Sequence, residues 1–237
     1  MRAHFGGSSR KSLVASRASL DAAVKGADAN SASALSSELF FVADVLSTNI
    51  AVRRALTDPS RDGKAKAAFI SELFGKKIGA LALGLVTELS SLRWSAPKDL
   101  VLVLEQLAIE AEASAANIAG ELDRVEDEIF TAAAAFASST ELRKALTSDA
   151  TNAKATLVAD ILKGASGSTV KLVSQMVNAW RGRSIESAFA DYQWALAARR
   201  NRVIALVRVA APLTPAQLDR LTSTLTTKVG QPVRINI

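Results

Sequence analysis

Parts of this chain repeat one another, and the repeat restricts the fold more than any other feature. Glu38-Leu39-Phe40 aligns with Glu128-Ile129-Phe130 at an offset of 90 residues. At the same offset, Val52-Arg53-Arg54-Ala55-Leu56-Thr57 aligns with Leu142-Arg143-Lys144-Ala145-Leu146-Thr147. After a two-residue shortening in a turn, Lys66–Phe74 aligns with Lys154–Leu162, and Leu92-Arg93 lies over Trp180-Arg181. Matches in one order, with the single length change in a turn, point to duplication rather than to coincidence of helical periodicity. The period is too long for solenoid units, which run about 20–50 residues, and has the length of a small domain.

The repeated unit reads as helix. Leu35, Leu39, Val42, Leu46 and Ile50 recur every three or four residues, which gives a helix one apolar stripe. Ile78, Leu81, Leu85, Leu89 and Leu92 do the same, as do Leu100, Val103, Leu104 and Leu107. Farther on come Val170, Val173, Val177 and Trp180, then Ile185, Phe189, Tyr192 and Leu196. Hydrophobic residues make up 49% and aromatic residues only 5%, a balance that favours small-residue helix packing. Breaks are expected at 58–63 and 164–168, and Pro97 opens a helix.

From Asn201 the texture changes. Residues 202–209 are β-branched and apolar, a strand signal. Thr214-Pro215-Ala216-Gln217 forms a capping box with proline at the first helical position. Leu218, Leu221, Leu225 and Val229 give the helix an apolar face that Gly230 ends, and 232–237 alternate like a half-buried strand. The expected fold is mainly α: two tandem copies of a helical bundle, then a small β-α-β unit. The expected divisions are a lead-in at 1–9, copy one at 10–108, copy two at 109–200 and the β-α-β unit at 201–237. Two strands and a helix bury little by themselves, so this last unit is expected to be truncated.

The sequence offers no catalytic constellation. Cysteine is absent and the single histidine is His4, so neither a zinc site nor a Ser–His–Asp triad can be assembled. Neither phosphate-binding glycine motif is present. No cofactor, no metal and no enzymatic activity are expected. Glu110 and Glu112, and the acids from Glu121 to Glu128, read as a solvated or partner-facing surface. Net charge is +6, with the densest basic cluster at Arg199, Arg200 and Arg202. Nucleic-acid readers add stacking aromatics or a recognised module. Here Trp94, Trp180 and Trp194 lie on or beside apolar stripes, which favours packing. A basic helical nucleic-acid-binding or adaptor protein is the alternative reading. No apolar run approaches the about 20 residues that span a bilayer.

The order of these motifs resembles the δ subunit family of F-type ATP synthases, related to the oligomycin-sensitivity-conferring protein. The resemblance rests on Leu35–Leu46 and Val125–Phe136, on the L-R-x-x-L-type helices at Val52–Pro59 and Leu142–Asp149, and on Lys66–Phe74 and Lys154–Leu162. It continues through Val207–Gln217 and Leu221–Ile235. The duplication, Arg93-Trp94-Ser95 and Ser9–Leu13 resemble the actinobacterial form, here without a fused membrane-anchored segment.

The resemblance implies that each copy is a six-helix bundle. It implies a non-catalytic stator subunit, one copy per complex, on the cytoplasmic face of the plasma membrane. The implied partners are the N-terminal helices of α subunits and the b-type stalk subunits, with no nucleic acid and no membrane span of its own. Because copy two adjoins the C-terminal unit, the α-subunit helix is expected between about Leu107–Ile118 and Val170–Trp180. Candidate contacts are Val170, Val173, Val177 and Trp180, with Arg199, Arg200 and Arg202 facing acidic surfaces. Copy one is then expected to meet the stalk.

Overall fold

The computed structural model describes residues 5–147, 151–199, 203–207, 209, 213–229 and 233–236. The chain is mainly helical. The first series of helices is α1 (Gly7–Val24), α2 (Ala29–Thr48), α3 (Ile50–Thr57), α4 (Gly63–Phe74), α5 (Ala80–Ser91) and α6 (Pro97–Ile118). Then follow α7 (Leu122–Ser138), α8 (Thr140–Thr147), α9 (Thr151–Ile161), α10 (Gly167–Asn178) and α11 (Ile185–Arg199). The strands β1 (Val203–Leu206) and β2 (Val233–Asn236) pair in parallel, Val203 opposite Val233, with α12 (Pro215–Val229) between them.

The helices start where local chemistry puts them. Asp28 accepts the Ser31 N–H at 2.7 Å and caps α2, Asp62 caps α4 through Lys64, and Ser166 caps α10 through Thr169. At α12, the Thr214 hydroxyl accepts the Gln217 N–H while the Gln217 side-chain oxygen accepts the Thr214 N–H at 2.9 Å. Both halves of the capping box are therefore made. Gly120, with φ of 75°, ends α6 and lets the Glu121 N–H reach back to the Ala116 carbonyl at 2.8 Å.

One helix belongs to both repeats. Pro97 at the start of α6 stands 90 residues after Gly7 of α1, and α11 begins 88 residues after α6. In order along the chain, α6 is thus the last helix of the first series and the first of the second. It packs against α1 and α2 of the first series and against α7, α10 and α11 of the second. The expected division at 108/109 falls inside this unbroken helix. Of its 22 residues 16 are buried. Alanines 32 and 43 and Ser36 on α2, with alanines 108, 111 and 115 on α6, are buried small residues that let helices approach closely.

Ser9 is more tightly held than a residue of a loose lead-in. Ser9 is fully buried. Its hydroxyl donates to the Asp99 carboxylate at 2.7 Å and accepts the Ser95 N–H at 2.7 Å, tying the first turn of α1 to the start of α6. Ile50, expected on the stripe of α2, is instead 53% exposed at the head of α3. The chain bends by 107° between those two helices. Among the described residues no single helix is long and apolar enough to cross a membrane. Ser9→Ala leaves the buried Asp99 without one donor, and is expected to cost about 1–3 kcal/mol in urea unfolding.

Candidate partner-binding site

The site is built around the carboxylates of α6. Glu105, Glu110 and Glu112 are each only 2% exposed, and each is held by side chains from flanking helices. Residues seven apart on a helix share a face, whereas residues two apart point about 200° apart. Glu105 and Glu112 therefore look one way and Glu110 another. Glu110 accepts Arg17 of α1 at 2.6 and 2.9 Å, and Gln106 at 2.9 Å. The Arg17 guanidinium also lies 5.0 Å from the Trp194 ring of α11. Glu112 accepts Lys171 of α10 at 2.9 Å, Ser168 at 2.6 Å and Ser33 of α2 at 3.0 Å. Lys171 donates in turn to the Ser33 carbonyl at 3.0 Å.

Glu105 is the most heavily committed. It accepts Arg181 at 2.7 Å, Arg183 at 2.6 Å and the Tyr192 hydroxyl at 3.3 Å. Arg183 also reaches Asp191 at 3.3 Å, and Arg181 pairs with Asp44 of α2. Arg181 has φ of 50° and Gly182 follows at 74°. A left-handed arginine costs about 1–3 kcal/mol, and here the turn is held by the two ion pairs of its guanidinium. Burial, with Glu105 close by, holds the Asp44 carboxyl above its ordinary value against the pull of Arg181. Burial also pushes the Tyr192 hydroxyl well above its ordinary range, so it stays a donor.

These contacts overturn the surface reading of Glu110 and Glu112. They are interior groups, each matched by a cation. A continuous polar face was the sequence signal for a solvated helix, and α6 has none because its acids point in different directions. That spread around the helix was legible; the identity of the cations, more than 50 residues away in sequence, was not.

The expected contact residues fall into four groups. Val173 and Val177 are core, at 0% and 1% exposure. Val170 and Trp180 are half-buried against that core. Arg199 donates to Ser114 at 2.6 Å and pairs with Asp21. Arg200 and Arg202 lie outside the described residues. Beside these residues lies α2, whose Ser33 meets both Glu112 and Lys171 and whose Asp44 meets Arg181. It covers the face between α6 and α10.

The counterpart face in the first repeat is open. Ala15, Ala18 and Ala22 of α1 are exposed, as are Leu81, Gly84 and Glu88 of α5. Ser19 donates to Glu88 at 2.7 Å and joins the two helices. The aligned positions in the second repeat are Glu105, Ala108 and Glu112 on α6, and Thr169, Leu172 and Met176 on α10. All six are buried. Val14 at 69% and Leu81 at 48% exposure are apolar groups left in water on α1 and α5.

The acids of the second repeat have a structural use as well. Glu128 of α7 accepts the Thr169 hydroxyl at 2.6 Å, the Ser166 N–H at 2.9 Å and Arg124 at 2.8 Å. Burial raises its pKa, but these hydrogen bonds outweigh burial and leave it below the ordinary value. Among the described residues no group of three or more His, Cys, Asp or Glu side chains is arranged to hold a metal ion.

Fold and site together define a helical scaffold that offers a surface. Residues 110–237 match the family described as ATP synthase delta (OSCP) subunit. The chain is similar to the ATP synthase subunit delta of Streptomyces coelicolor, 41% identical over 98% of this chain and 85% of that protein. It is also similar to those of Kineococcus radiotolerans, 38% identical over 98% and 84% of the two chains, and Salinispora arenicola, 38% identical over 96% and 84%. The chain belongs to the ATP synthase delta (OSCP) family, and it is a structural, non-catalytic subunit.

The lowered pKa of Glu128 fixes the sign of a pH effect. Its contacts stabilise the fold above the ordinary carboxylate pKa of about 4.3 and are lost as pH falls through its own lower value. Glu128→Gln is expected to lower stability by about 1–2 kcal/mol at neutral pH, and the gap to the parent chain should close in melts taken below pH of about 4.

Proposed function

We propose that the chain is a stator subunit of a rotary ATP synthase, joining the top of the α/β catalytic head to the b-type peripheral stalk. In this reading one copy per complex keeps the head from turning with the rotor, so that proton-driven rotation drives ATP synthesis. It works as a peripheral component on the cytoplasmic face of the membrane. Such a role needs stiffness and binding surface and no chemistry of its own. The observation that carries it is the match to proteins named ATP synthase subunit delta over nearly the whole chain. The physical support is the α6 network, since close-packed, ion-paired helices deform little under load.

In the same reading the helices form two six-helix bundles that share α6, and 201–237 belong to a C-terminal β-α-β domain that contacts the stalk. A helix-accepting groove takes an amphipathic α-subunit helix through anchors at i, i+3, i+4 and i+7. We assign that groove to α1 and α5 rather than to α6 and α10. The second groove would have to lose α2 before admitting a partner, which would leave the buried Arg181 and the half-buried Lys171 short of Asp44 and Ser33. The first groove exposes Ala15, Ala18, Ala22, Leu81 and Gly84 at no such cost. Val170 and Trp180 remain at its covered counterpart.

Gly84→Glu tests the assignment, because no atom lies within 4 Å of where its Cβ would stand. The variant is expected to fold with an unchanged melt, and to lose co-purification with α subunits by about tenfold or more through a buried charge. Full retention of the head subunits by this variant would return the α-subunit helix to another surface. Purification of the parent chain without α, β or b-type subunits would end the stator reading altogether.

A further inference from the structure

A second surface, independent of the α1–α5 groove, lies where the two repeats meet at the far end of α6. A cleft of about 910 Å³ opens there between the C-terminal ends of α2 and α10 and the N-terminal ends of α6 and α11. Its cations are Arg53, Lys98, Arg181 and Arg183, and Val101, Leu102 and Trp180 supply apolar wall. Arg181 and Arg183 are committed to Glu105, Asp44 and Asp191. Arg53 is not matched in this way: its hydrogen bonds go to the main-chain carbonyls of Leu46 and Ser47, both at 3.1 Å. Lys98 is exposed on the first turn of α6. Arg53 and Arg181 each also keep a buried Nε–H without an acceptor.

We propose that this cleft receives a short acidic segment of a partner protein. One or two carboxylates of that segment meet Lys98 and Arg53 at the mouth, and an apolar side chain lies on Leu102 and Trp180. The charge balance selects such a partner. The four cations face Asp44, Asp191 and Glu105, so the excess is a single positive charge. A segment with one or two acids suits that excess. A nucleic acid, with a phosphate at every step, would run its backbone against Asp44 and Asp191. The cleft volume is of the order that holds a few side chains, within the roughly 300–1,000 Å³ of ordinary binding pockets.

The test uses the full chain and a fluorescein-labelled peptide of glutamates, leucines and alanines, with a single-stranded oligonucleotide as the competing polyanion. Lys98→Glu and Asn178→Glu place new acids at the mouth on exposed positions, away from the Arg53 carbonyl contacts. Peptide binding read by anisotropy should weaken about tenfold in each variant and also with added salt, while the melts stay unchanged. The oligonucleotide should not displace the peptide. Peptide affinity that is unchanged in both variants overturns the proposal. So does an oligonucleotide that binds in preference to the peptide and is lost in Lys98→Glu.

Discussion

The burial of three carboxylates on one helix is the constraint on which the remaining architecture depends. An ionised carboxylate taken out of water costs several kcal/mol unless it is paired. Glu105, Glu110 and Glu112 are paired by groups from both repeats: Arg17 and Ser33 from the first, Lys171, Arg181 and Arg183 from the second. Neither set of helices can leave α6 without stranding a charge. Ion pairs of this kind add little net stability, but breaking one side of a buried pair costs about 3–5 kcal/mol. Their effect is to fix one arrangement of the helices.

That fixed arrangement makes the two repeats unequal. Sequence similarity alone would give each the same groove. Because α6 serves both, α2 of the first repeat lies against the helix that opens the second, and Ser33 and Asp44 hold it there. The residues that face solvent on α1 and α5 correspond to interior residues on α6 and α10. The second repeat thus buries the face that the first leaves open. This fits a component of a stator, where compliance between head and stalk would dissipate torque.

Much of the fold was legible in the sequence. The apolar stripes located α2, α5, α6, α10 and α11, and Thr214–Gln217 located the start of α12. The self-match paired α3 with α8 residue for residue. The sequence misplaced what depends on contacts distant along the chain. Val173 and Val177 form a stripe that a partner or a core could use equally, and the packing of α6, α7 and α9 against α10 decides for the core. Glu110 and Glu112 carry charge, which ordinarily marks a surface, and the pairing that reverses this comes from residues as remote as Arg17 and Lys171. Ser9 sits in a polar lead of glycines and serines, and its anchoring role depends on Asp99, 90 residues away. Arg199, expected to face acidic partner surfaces, meets Ser114 and Asp21 of this chain.

The most direct test of this account is amide hydrogen exchange on the free chain and on the same chain within the assembled ATP synthase. In the free chain α2, α6 and α10 should already exchange slowly, as one interlocked unit. Assembly should add protection to α1 and α5 and leave α10 unchanged. Protection gained on α6 and α10, with α2 exchanging faster after assembly, would contradict the account, since it would mean that a partner displaces α2 and occupies the second groove.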